Sequence, residues 1–373
     1  IFGRNQTELF PKEFKKSVKM KSIVTASYAV HFNEEAFNVL RKQISTRSYS
    51  KIFVLVDENT EKHCLPILNK EINGEFDFTL LRITSGEERK TIETCMQVWN
   101  DLTDSDADRK SLLINLGGGV LTDLGGFVAS TFKRGIDFIN IPTTLLAMVD
   151  ASVGGKTGVD LGALKNQIGV INQPEMVLVV PRFLKTLDER QLQSGFAEML
   201  KHGLIRSTSY WEELKEVTDF EGLDRLIHDS IVLKNEVVLQ DPTEQHLRKI
   251  LNYGHTLGHA IESHFLESEN KETLLHGEAI AIGMILEAFL SMKLTGLSQS
   301  TLSDISETFL KRYEKIEFSR DDIEIIISLL KFDKKNSHGN INFVLLKNIG
   351  ETSIDIKIQP DLFTEAFSYY KLL

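Results

Sequence analysis

Short apolar runs separated by helical stretches dominate the first half of the chain, and the alternation stops at Pro181. Lys51–Asp57 (KIFVLVD), Ser111–Leu116 (SLLINL) and Met176–Val180 (MVLVV) are runs with little polar alternation, the pattern of strands buried on both faces. Phe76–Ile83 and Phe138–Ile141, the latter stopped by Pro142, are weaker strands, and Thr91–Leu102 has helical spacing. Buried strands separated by helices predict a mainly parallel sheet with helices on its faces. From Leu187 to Leu330 apolar residues recur at three and four, which predicts helices, and Ile341–Lys347 with Thr352–Ile358 predicts a small hairpin. The boundary between the two textures falls near residue 184, and a chain of 373 residues is long enough for two domains, or three.

Residues 1–19 have no continuous apolar core of the kind a secretory signal carries, and Met20 opens a natural-looking start, so 1–19 are expected to be an N-terminal extension. No apolar run approaches the ~20 residues that span a bilayer. The longest, Ala279–Leu290, contains Glu287 and predicts a buried helix. Two cysteines, Cys64 and Cys95, with no CxxC exclude a disulfide scaffold and a cysteine-rich zinc module, and fit a reducing cytoplasm. With 43 Lys and Arg against 53 Asp and Glu, the net charge of -10 disfavours nucleic acid as a partner.

Gly117-Gly118-Gly119 follows a buried strand and leads into a helix, where glycines allow close approach and unusual dihedrals, and free N–H groups can meet a pyrophosphate. The pattern is not GxGxxG, so it is weak alone. Asp57 and Asn59 end one strand, and Glu87 with Lys90 follows another. Loops at the carboxyl ends of strands are where open α/β sheets bind ligands, and together these favour a dinucleotide. The string Gly154-Gly155-Lys156-Thr157 lacks the first glycine of a P-loop, since position 150 is Asp. It reads instead as a close-approach loop presenting Lys156 to an anion, with Lys165 and Asn166 on another loop.

Glu198, Lys201 and His202 share a helical face; His255 and His259 stand one turn apart before Glu262; His276 opens another helix. One Glu and two His with open positions is the ligand set of a catalytic zinc, and spacing does not choose among His202, His255, His259 and His276. His31, His63, His228, His246, His264 and His338 lack such context and read as structural. Lys234, Arg134 and the Asp333-Lys334-Lys335 string add cations. Arg248 stands four residues before Asn252 and seven before His255, which places it on or near the same helical face as a candidate ligand. The expected fold is an α/β N-terminal Rossmann-like dinucleotide-binding domain (20–184) followed by a mainly α-helical metal-binding domain (185–373).

Eight stretches, GGGVLTDLGGFVAS, FKRG, IPTTLLAMVDASVGGKTGVD, LKNQIG, SGFAEMLKHG, LRKILNYGHTLGHAIE, LLHGEAIAIGM and DKK, resemble the 3-dehydroquinate synthase family of sugar phosphate cyclases. The resemblance runs from Asp57 to Lys335. It implies a cytoplasmic homodimer that uses NAD and Zn2+ (or Co2+), with Glu198, His255 and His276 as metal ligands and His259 facing substrate. It places Asp150, Lys156, Lys165, Asn166, Lys201, Lys234, Arg248, Asn252 and Lys334 or Lys335 around the substrate, with Arg134 reaching across the dimer. NAD would touch Asp57, Asn59, Glu87, Lys90, Gly118, Gly119, Asp123, Thr143 and Thr144. The chain departs from the family at Met148, at Asp160, in the stretch before Lys165 and in a longer span between His255 and His276.

The implied reaction turns a seven-carbon sugar acid phosphate, 3-deoxy-D-arabino-heptulosonate 7-phosphate, into 3-dehydroquinate and phosphate in the shikimate pathway of aromatic amino acid biosynthesis. Its steps are transient oxidation by NAD, phosphate elimination, re-reduction and aldol closure. Two rivals stay open at this point: another sugar phosphate cyclase, and a metal-dependent NAD polyol dehydrogenase.

Overall fold

Val54 and Val56 join one hydrophobic core while Phe53 and Leu55, between and beside them, join another. That alternation is what a strand covered on both faces produces. The computed structural model of the chain describes residues 20–162, 164–330 and 341–373. The expected extension 1–19 and the candidates Lys334 and Lys335 lie outside the described residues.

The strands are β1 (Ile23–Val24), β2 (Ala29–Phe32), β3 (Ile52–Val56), β4 (Thr79–Arg82), β5 (Leu112–Gly117), β6 (Asp137–Pro142), β7 (Lys156–Leu161), β8 (Leu164–Ile171), β9 (Met176–Val179), β10 (Asn342–Asn348) and β11 (Glu351–Lys357). Seven of them form one sheet in the order β1-β2-β9-β6-β5-β3-β4. Within that sheet, among the described residues, only the β1–β2 pair is antiparallel. From β3 the chain moves outward to β4, then returns past β3 to β5, β6 and β9, so the winding reverses between β3 and β5. The crevice beyond the carboxyl ends of two such strands is the ligand position in doubly wound sheets.

The two strands Ile23–Val24 and Ala29–Phe32 extend the sheet beyond the sequence expectation. The expected closing hairpin is present as β10–β11. One expectation is corrected. The segment carrying Lys156, Lys165 and Asn166 is not a pair of loops but an antiparallel hairpin, β7–β8. It packs on the helix Gly119–Thr131, where a Cβ at Gly126 would meet Thr157 at 2.5 Å.

The second half is built of helices, among them Glu189–Arg206, Asp224–Gln240, His255–Glu267, His276–Leu294 and Arg320–Leu329. The larger core contains Val177 and Leu178 of β9 together with Phe196, Ile280 and Leu286 of the helices. The change of texture near residue 184 is therefore a change of secondary structure and not a gap in the core.

Candidate active site

A cleft of about 1140 Å³ separates the carboxyl edge of the sheet from the helices. Asp57, Asn59, Glu87, Lys90, Gly118, Gly119, Asp123, Thr143 and Thr144, the residues that the resemblance implies for NAD, line one part of it. Asp57 follows β3 and caps the short helix Glu58–His63, accepting from the Thr60 N–H at 2.7 Å. β5 ends at Gly117, and the helix Gly119–Thr131 starts with no side-chain cap. Its first N–H groups are thus open to an anion. Gly118 has ordinary extended geometry (φ −73°, ψ −170°), so the expectation of an unusual dihedral does not apply here. What the glycine supplies is room: a Cβ there would stand 3.0 Å from Cγ2 of Thr144. His63, which the sequence left without a role, also lines the cleft.

Lys90 is buried, and its ammonium donates to Asp123 Oδ2 at 2.7 Å and Asn166 Oδ1 at 2.6 Å. Burial opposes its charge, but Asp123 and Glu87 outweigh burial and keep it protonated. Lys90 therefore pins the hairpin β7–β8 to the cofactor wall. Lys165 does the same at a second point, 2.6 Å from Glu87 Oε1 and 3.2 Å from Glu262 Oε1.

Deeper in the cleft, Lys234 donates to Asp150 Oδ1 at 2.7 Å, and Lys201 pairs with Glu198. Burial would raise the Asp150 carboxyl, but Lys234 first and Lys201 next hold it well below the usual range. Lys156 pairs with Glu244, whose other oxygen accepts from Asn252 Nδ2 at 2.5 Å. Glu244 is a site residue that the sequence reading missed. It sits in a short polar turn that looks like surface, and its backbone is left-handed (φ 61°), a conformation uncommon outside glycine.

Arg248 donates to the carbonyls of Pro242 at 2.7 Å and Gly154 at 3.0 Å. Its expected place on the helix of His255 is corrected. Leu247–Asn252 is a separate 3₁₀ segment, and Gly254 (φ 80°) breaks the chain direction before the helix starts at His255. Arg134 is not in the cleft. It lines a separate surface hollow with Asp108, Arg109, Lys110 and Lys133.

His255 and His276 are each the first residue of a helix. With His259 they bring ring nitrogens within 4.8 Å of one another. His255 Nδ1 meets the Tyr253 carbonyl at 3.1 Å, and His276 Nδ1 meets Glu262 Oε2 at 3.1 Å. Both rings thereby turn Nε2 toward Glu198 Oε1, at 3.4 Å and 3.6 Å. That oxygen is buried and has no hydrogen-bond partner among the described residues. Burial would raise the Glu198 carboxyl, but Lys201 outweighs it and keeps the group ionised. An anionic oxygen without a hydrogen bond between two imidazole nitrogens fits a divalent cation.

His202 stands apart from the three histidines. Its Nδ1 meets Ser230 Oγ at 2.7 Å, and its Nε2 is 3.9 Å from Asp150. Burial first, then Lys201, pushes its pKa down to about 3, so the ring is neutral.

Residues 80–194 match the family model for the 3-dehydroquinate synthase N-terminal region, and residues 195–336 that for the C-terminal region. The chain is 40% identical over 336 residues to the 3-dehydroquinate synthase of Parabacteroides distasonis, covering 89% of this chain and 94% of that one. It is 39% identical over 316 residues to the 3-dehydroquinate synthase of Clostridium beijerinckii, covering 82% and 87%. In structure it is similar to 2-deoxy-scyllo-inosose synthase complexed with carbaglucose-6-phosphate, NAD+ and Co2+, with a TM-score of 0.80 at 25% identity over 94% of this chain and 99% of that one.

Proposed function

The chain is an enzyme of the 3-dehydroquinate synthase family, and from that premise we propose how its cleft turns 3-deoxy-D-arabino-heptulosonate 7-phosphate into 3-dehydroquinate and phosphate. The observation that carries the reading is the Glu198 oxygen between His255 and His276, two histidines that line the same cleft as an uncapped helix start at the switch point of the sheet. A metal position and a dinucleotide position facing one substrate space is what an internally redox-neutral elimination needs.

In this reading Glu198, His255 and His276 hold a zinc or cobalt ion, and NAD lies along Asp57, Asn59, Glu87, Lys90, Gly118, Gly119, Asp123, Thr143 and Thr144. When bound, the two groups supply polarisation of substrate oxygens and a reversible hydride acceptor. The residues of the chain do the rest. Lys156, Asn166, Lys234, Arg248 and Asn252 bind the carboxylate and phosphate by charge-assisted hydrogen bonds. Lys201, whose charge Glu198 and Asp150 maintain against burial, places a fixed cation beside the reacting carbon atoms. Asp150 orients Lys234 and Lys201, and Lys165 holds the hairpin against the helices. His259, in the cleft beside the other two rings, is the residue placed to move a proton on the substrate. Holding both anionic ends lets elimination and ring closure follow without release.

Arg134, outside the cleft of its own chain, serves the cleft of a second subunit in a homodimer. Lys334 or Lys335 completes the cation set. The cofactor unit spans residues 20–184 and the metal unit 185–373. The enzyme is a phosphorus–oxygen lyase of the cytoplasm, where its two buried, unpaired cysteines, Cys64 and Cys95, are at home.

The test is to supply the heptulosonate phosphate with catalytic NAD and zinc and to follow inorganic phosphate. Phosphate release without net NADH is the expected result. No release under these conditions overturns the reading, and accumulating NADH would point to a polyol dehydrogenase.

A further inference from the structure

Glu287 stands in the middle of the helix His276–Leu294, in a stretch that is otherwise apolar, and it is fully buried. Nothing in the reaction above uses it. A buried carboxylate in such a place is costly unless it is hydrogen-bonded, and its partners lie on the neighbouring helix. The helix His255–Glu267 starts after Gly254, which has no side chain to cap it. The first N–H groups of a helix have no intrahelical partner. Glu287 supplies one: it accepts from the Gly254 N–H at 2.6 Å and from the Leu257 N–H at 3.3 Å. An anion at this helix end is also favoured by the helix dipole.

The carboxylate reaches the neighbouring backbone because the two helices cross at glycines. A Cβ on Gly283 would stand 2.0 Å from the Gly254 carbonyl oxygen, and one on Gly258 would stand 2.6 Å from Ile280 Cδ1. Tyr253, just before the cap, donates its hydroxyl to the Met284 carbonyl at 3.0 Å. Gly254 and Leu257 flank His255, so the bonds from Glu287 fix the turn of backbone from which that imidazole projects. The helix that bears Glu287 begins with His276. One rigid element thus carries one histidine at its start and, about three turns on, holds the start of the helix that carries the other.

We propose that Glu287 is a positioning residue for the metal centre: its carboxylate caps the helix of His255 and sets the spacing between His255 and His276. This rests on the reading of His255 as a metal ligand. The experiment titrates Co2+ into the full-length wild type, E287Q and H255A, following the visible absorption of the bound ion, with NAD affinity measured alongside. Glu287→Gln keeps the volume and replaces one acceptor oxygen by a donor. E287Q is expected to bind Co2+ about 10- to 100-fold more weakly, with a shifted absorption band and unchanged NAD affinity, while H255A loses the ion. Wild-type affinity and an unshifted band in E287Q, with H255A deficient, overturn the proposal and leave the metal reading standing. Wild-type binding by H255A overturns the metal reading and this proposal with it. A second measurement needs no variant. In the wild-type protein, hydrogen exchange resolved to single residues is expected to show Gly254 and Leu257 amides as slow as the interior of His276–Leu294, and exchange of both at loop rates overturns the proposal.

Discussion

Glu262 Oε2 lies 3.1 Å from Nδ1 of His276. A carboxylate can only accept, so Nδ1 carries a proton, and Nε2 is the nitrogen that faces Glu198. The other Glu262 oxygen faces Lys165, which in turn faces Glu87 on the cofactor wall. Burial would raise the Glu262 carboxyl, but His276 first and Lys165 next bring it down to about 2. This ionised group ties a candidate metal ligand to the hairpin β7–β8. Glu262→Gln is expected to weaken metal retention by about 10- to 100-fold, the usual range for a partner that orients a ligand histidine. Equilibrium dialysis against zinc checks this, and unchanged retention would place the control of ring orientation elsewhere.

His259 and His276 separate by role. His276→Ala is expected to abolish metal retention, and His259→Ala to retain the metal and lose phosphate release by about 10²- to 10⁴-fold, the range for a lost proton-transfer group. Elemental analysis of the two purified variants, read beside phosphate release, decides the matter. Loss of metal from His259→Ala would mean that the ligand set includes the third ring of the cluster.

Gly118→Ala should act on the cofactor and not on folding. The added methyl would stand 3.0 Å from Thr144 Cγ2 at the start of the helix Gly119–Thr131. NAD affinity is expected to fall about tenfold, roughly 1.4 kcal/mol, by fluorescence titration. The double variant G118A/T144S, which removes the opposing methyl, should recover part of the loss. No recovery would show that the cost comes from the backbone.

Asp322 joins the helix Arg320–Leu329 to the helix of His255 and His259. It meets His264 Nε2 at 2.7 Å and Lys271 Nζ at 3.0 Å, and accepts from Ser319 N–H at 2.8 Å. Burial would raise its pKa, but His264, Lys271 and Ser319 together hold it well below the usual aspartate value. A depressed carboxylate contributes stability above its unfolded pKa, and that contribution is lost as pH falls toward the folded value. Asp322→Asn should therefore cost about 1–3 kcal/mol at neutral pH. The gap to wild type should start to shrink below about pH 4 and keep shrinking with further acid. Urea denaturation of both proteins across that range is the measurement, and a gap that ignores pH would refute the assignment.

The parts of this fold legible in the sequence are those where burial writes an uninterrupted pattern. β3, β5 and β9 are covered on both faces, so their apolar runs have no competing explanation. The strands Ile23–Val24 and Ala29–Phe32 are too short to show a period. β8 is largely exposed and carries Lys165, Asn166, Gln167 and Gly169, which is the composition of a loop. It is held as a strand by pairing with β7, by Lys90 donating to Asn166 and by Lys165 reaching Glu87 and Glu262, and no local pattern records that. The same distinction holds in the cleft. Residues within a motif, such as Gly118, Glu198 or His255, could be named from sequence. Glu244 and Glu287 could not, since their meaning lies in Lys156 and Asn252, or in Gly254, which only the tertiary fold brings to them.

The lysines of the cleft have one further property in common. Lys90 faces Asp123, Lys156 faces Glu244, Lys165 faces Glu87 and Glu262, Lys201 faces Glu198, and Lys234 faces Asp150. These five lysines, which look strongly basic in sequence, are each locally neutralised in the folded chain. A dianionic sugar phosphate entering among them exchanges one carboxylate partner for another at short range, and little positive potential extends into solvent to draw it in. Capture should therefore proceed without long-range steering, and its rate should change little with ionic strength, in contrast to sites whose cations stand unopposed.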